Sequence, residues 1–114
     1  MRTQRLNAAR RVAAHLFAAE KAIDIAVARI AELNAALPAA RMEANLAATV
    51  GQNAFESSAE AMVSAAHVRQ LLVTTHERLS DAGVRIGLKE MSWGDELKIP
   101  SAEIHQLSAN RDAA

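Results

Sequence analysis

The sequence predicts an all-α protein: a long antiparallel helical hairpin with an interrupted second arm and an irregular C-terminal extension, paired into a dimeric four-helix bundle. Three observations lead there. Every seventh residue from Ala9 is apolar (Ala9, Leu16, Ile23, Ile30, Leu37), and so are the positions three further on (Val12, Ala19, Ala26, Leu33). A stripe of that period belongs to a helix whose seam another helix covers, as in a coiled coil. The few Gly and Pro residues fall where such helices would be separated. Finally, 51% of the 114 residues are hydrophobic, yet 27 of those 58 are Ala and only 26 are Leu, Ile, Val or Phe. Ala favours helix but buries little area, so a small domain built this way gains by sharing a core with a second copy.

The first helix is expected over residues 3–36. Leu37-Pro38 should end it, because the residue before a proline is pushed out of the α region. At 1.5 Å per residue such a helix is about 50 Å long, more than a compact globule of this size normally holds. An elongated bundle follows. Ala19 and Ala26, on the heptad, would let the facing helix approach closely, so that a larger side chain there would overpack the seam.

Helix formers resume directly after Pro38, and Met42, Leu46 and Val50 keep a helical spacing. Gly51-Gln52-Asn53 then interrupts, and a break or kink is expected at residues 50–53, the alternative being one continuous helix that tolerates Gly51 at a cost of about 1 kcal/mol. Asn53 with Glu56 three residues on fits a capping box, which would open the next helix. That helix should span residues 54–82 and carries a wide apolar arc. One stripe is Ala61, Ala65, Val68, Leu72 and Leu79; its neighbour is Phe55, Ala59, Met62, Ala66 and Val73. Two adjacent stripes imply two neighbours. Phe17 and Ile25 lie off the seam of the first helix, so Phe17, Ile25, Phe55, Met62 and Val73 are the candidate residues of an interaction surface, which a lone hairpin would leave exposed.

Gly83 and Gly87 offer helix stops, dividing the chain into a hairpin domain over residues 1–83 and an extension over residues 84–114. The extension has no sustained period, and a short helical turn is expected after Pro100, with Ser101 as cap and Ile104 and Leu107 apolar. Trp93 is the candidate contact anchor of this segment. Docking onto its own helices is the favoured reading.

Chemistry leaves little trace. His15, His67, His76 and His105 show no paired or Glu-x-x-His spacing, Ser57, Ser58 and Ser64 lie in helix, and no Gly-rich loop could cradle a phosphate. No catalytic, cofactor-binding or metal-binding residue is therefore assigned, and the chain is not expected to be an enzyme. The absence of Cys removes disulfides and thiol chemistry and is compatible with a reducing cytoplasm, the compartment expected here.

Thirteen basic and thirteen acidic residues balance, which argues against a dedicated nucleic-acid binder. Arg2, Arg5, Arg10 and Arg11 nevertheless precede the first acidic residue, Glu20, and form a candidate anion-binding end. The same Arg-rich start suits a transit peptide, but the heptad runs on unbroken through it, so it is read as helix. No stretch approaches the roughly 20 apolar residues of a membrane span.

The expected role is a non-catalytic interaction or scaffolding module acting as a homo-oligomer with a protein partner. The Ala richness, the lack of Cys and the amphipathic helices also resemble, in composition, the phasins that coat polyester granules. That resemblance implies an amphipathic surface-coating protein as the alternative role. An accessory nucleic-acid-binding protein using the four arginines is a further one.

Overall fold

A computed structural model of the protein describes residues 1–89, 91 and 93. These residues form two helices, α1 (Arg2–Glu43) and α2 (Gln52–Arg85), joined by a turn over residues 44–51. The helices pack antiparallel. Arg2 at the start of α1 donates to the Gly87 carbonyl beyond the end of α2 at 3.0 Å, and Asn34 lies level with Ser58 near the turn. The all-α hairpin stands as the sequence predicts it, and the short helical turn after Pro100 lies outside the described residues.

The first arm is longer than expected. Helix α1 does not end at Leu37-Pro38 but runs through the proline to Glu43. An interior proline removes one backbone bond and crowds the carbonyl four residues back, at a cost of about 3 kcal/mol. Two features offset it here: strong helix formers follow at once, and Leu37, Pro38 and Arg41 are half-buried on the hairpin side. The helix then stops in a Schellman motif. Asn45 takes a left-handed φ of 54°, its N–H bonds the Met42 carbonyl, and Leu46 N–H reaches back to Arg41. Arg41 donates in turn to the Leu46 carbonyl at 2.9 Å. Met42, Leu46 and Val50 therefore do not share a helix.

The break falls at residues 44–51, earlier than the expected 50–53; it is the hairpin turn itself, so the second arm, α2, is uninterrupted, and its cap also differs. Gly51, at φ 78°, is the N-cap of α2, and no side chain bonds the helix start. Asn53 sits inside the helix, and Glu56 accepts from Gln52 instead of closing a capping box. At the other end Gly83 is not a stop. The stop is Gly87, at φ 84°, in a second Schellman motif: Gly87 N–H bonds Val84 and Leu88 N–H bonds Gly83.

Of the expected seam, one heptad row faces α2 and the other does not. Ala9 and Leu16 are buried and Ile23, Ile30 and Leu37 half-buried, so this row, called a, lies in the interface. Val12 and Leu33 of the row three further on, called d, are exposed, and Ala19 and Ala26 are only half-covered. The second seam row is e, one residue beyond d: Ala13, Glu20, Val27, Asn34 and Arg41 are all half-buried. On α2 the corresponding seam is Ser58, Met62, Ala65, Leu72, His76, Leu79 and Gly83, while Ala61 and Val68 stand outside it.

The apolar core sits at the open end of the hairpin. Ala9, Leu16, Leu88 and Trp93 form it, with Leu6, Ala13, Leu79 and Met91 packed around them. Elsewhere the seam is narrow and mixed, with Ile23, Val27, Ile30, Met62 and Leu72 beside the polar Glu20, Asn34, Ser58 and His76, and no large side chain among the described residues is completely buried.

Candidate interaction surfaces

Polar pairs occupy the e side of the hairpin. His76 Nδ1 lies 3.0 Å from the Glu20 carboxylate, both half-buried, and Arg69 Nε donates to Asp24 at 2.8 Å in a more exposed position. Ser58, buried, donates to the Asn34 amide oxygen. These residues fix the register of the two helices, since a shift by one turn would separate all three pairs. Sequence reasoning missed them, because apolar periodicity passes over polar residues that share a row with it. The available signal was Glu20 and Asn34, two heptads apart in one row of α1.

The candidate interaction residues do not form one patch. Phe17 and Ile25 line a shallow open groove along α1 with Glu20, Lys21, Asp24 and Ala28. Ile25 is 52% exposed. Phe55 lies at the turn end, where it lines a cleft with Leu37, Pro38, Arg41 and Val50. Val73 is exposed on α2, whereas Met62 is half-buried and belongs to the hairpin seam.

On the opposite side of the hairpin lie the two d rows. Antiparallel packing places Val12, Ala19, Ala26 and Leu33 of α1 beside Ala61, Val68, Thr75 and Ala82 of α2. All but Ala19 and Ala26 are exposed, and no charged residue stands in either row.

Trp93 is buried, 6% exposed, against α2 of its own chain. Its Nε1 has no hydrogen-bond partner among the described residues. The four arginines are also dispersed. Arg2 is held at the C-terminal end of α2, where its cation suits the helix dipole. Arg5, Arg10 and Arg11 are exposed, but at about 100° per residue Arg10 and Arg11 project from different sides of α1 than Arg5. They do not share a stripe that could track a phosphate backbone.

Among the described residues no group of three His, Cys, Asp or Glu is placed to hold a metal ion, and no helix is long and apolar enough to cross a membrane. Comparison with protein-family models, with curated proteins and with solved structures returned no match.

Proposed function

We propose that the chain is a non-catalytic helical scaffold that acts by self-association and by presenting an apolar surface to a protein partner in a reducing cytoplasm. The observation that carries this reading is an inversion of the usual burial. Among the described residues the buried apolar ones are Ala9, Leu16, Ala65, Leu88 and Trp93, two of them alanines, whereas Val12, Phe17, Ile25, Leu33, Val63, Val68, Leu71 and Val73 are exposed on the two helices. A monomeric domain rarely leaves that much apolar surface in water. Burying it between copies supplies a core that the Leu, Ile, Val and Phe residues of one hairpin do not build alone.

Sedimentation equilibrium tests the proposal. A species of twice 12.2 kDa at micromolar concentration is the expected result, and a 12.2 kDa species throughout that range would overturn it.

A further inference from the structure

We propose that the face formed by the two d rows is where a second copy of this chain docks, with the two-fold axis parallel to the helices so that each α1 lies on the partner's α2. The proposal rests on the self-association argued above and adds the face and the orientation.

Charge separates the two sides of the hairpin. The e side carries Glu20–His76 and Asp24–Arg69, which a partner would have to desolvate. The d rows carry none; the Arg29–Glu32 pair flanks row d of α1 with both side chains largely exposed.

Shape then selects a second copy as the occupant. The register set by the polar pairs puts Val12 level with Ala82, Ala19 with Thr75, Ala26 with Val68 and Leu33 with Ala61. At three of these four levels a large side chain on one helix stands beside an alanine on the other. A two-fold axis along the helices keeps levels aligned and exchanges the helices, so Leu33 meets the partner's Ala61 and Val68 meets the partner's Ala26. Every contact occurs twice, and no large residue is set against another. The rows keep the heptad of the hairpin itself, so the docked pair is a four-helix bundle with knobs-into-holes packing.

The area is sufficient. A face two helices wide, roughly 20 Å, and about 32 Å long from Val12 to Leu33 covers on the order of 640 Å² per copy, or about 1,300 Å² in total, within the roughly 1,200 to 2,000 Å² that stable interfaces bury.

The test uses two full-length variants, Ala26→Cys and Val68→Cys, mixed and mildly oxidised; the native chain has no Cys, so each bridge reports one juxtaposition. The mixture should cross-link about tenfold faster than either variant alone, because only the mixed pair meets disulfide geometry. A control mixture of Phe17→Cys and Val73→Cys should not cross-link faster than its components. The inverse pattern, in a species of dimer mass, would overturn the face while leaving self-association intact. A monomer mass would overturn both. Val68→Glu supplies an independent readout: the dimer should dissociate with its helical circular dichroism retained, and a persisting dimer would count against the proposal.

Discussion

Trp93 closes over Gly83: a Cβ on the glycine would lie 3.0 Å from the indole Nε1 and 3.4 Å from Cζ2. The glycine, inside α2, thus serves as a seat and not as a helix stop. The Schellman motif at Gly87 turns the chain back, Leu88 enters the core, and the indole follows onto α2. Arg2 ties the start of α1 to the same turn. The open end of the hairpin is closed in this way.

Gly83→Ala tests that seat. In an open helix interior the change would stabilise by about 1 kcal/mol. Here the methyl must displace a buried indole, so a net loss of about 1 kcal/mol is expected from overpacking. The single Trp reports the event directly. Thermal melting should fall while the emission shifts to the red, and a higher melting point with unchanged emission would refute the contact.

Trp93→Ala removes the largest side chain of the core. A loss of about 3 kcal/mol is expected, at the low end for a large aromatic, because the unpartnered Nε1–H is already a cost in the native state. Trp93→Phe deletes that donor and should recover more than half of the loss. Chemical denaturation of the three proteins decides it. Equal losses for Ala and Phe would show that the indole nitrogen does have a partner.

The polar seam is tested at Ser58. This buried hydroxyl donates to Asn34, and Ser58→Ala leaves the amide oxygen without its donor, at a cost of about 1 to 2 kcal/mol. A double-mutant cycle with Asn34→Ala should return a coupling of about 1 kcal/mol. Additive losses would place the two side chains out of reach of each other.

How much of this was legible depended on which signal each feature sends. Row a of α1 was visible because Leu16, Ile23, Ile30 and Leu37 repeat at seven, and the interruption at Gly51 and the stop at Gly87 were visible because glycine marks both. The choice between rows d and e was not, since apolar d residues satisfy a seam pattern equally well whether they face α2 or a second copy. An apolar count also passes over Glu20, Asn34, Ser58 and His76, whose place in the seam depends on partners more than twenty residues away. Pro38 misled for a related reason. The local bias against α before proline was outweighed by packing that only the folded hairpin supplies.

The arginine end should not bind nucleic acid at physiological salt. With Arg2 held by Gly87 and the others on different sides of α1, few phosphates could be neutralised together. Fluorescence anisotropy with a labelled duplex checks this. Submicromolar affinity lost on replacing Arg5, Arg10 and Arg11 by Ala would contradict it.

Pro38→Ala distinguishes a continuous α1 from a broken one. In a helix running to Glu43, alanine restores the N–H that bonds the Asn34 carbonyl and removes the clash of the ring with that same carbonyl. The gain is reduced because Pro38 is half-buried and the ring leaves contacts that a methyl does not replace. A net stabilisation of about 1 to 2 kcal/mol is expected, below the roughly 3 kcal/mol of an exposed helix interior. Thermal denaturation followed by circular dichroism measures it. If the variant were neutral or less stable, the chain would have to leave the helix at Leu37, and the cleft lined by Leu37, Arg41 and Phe55 would not form as described.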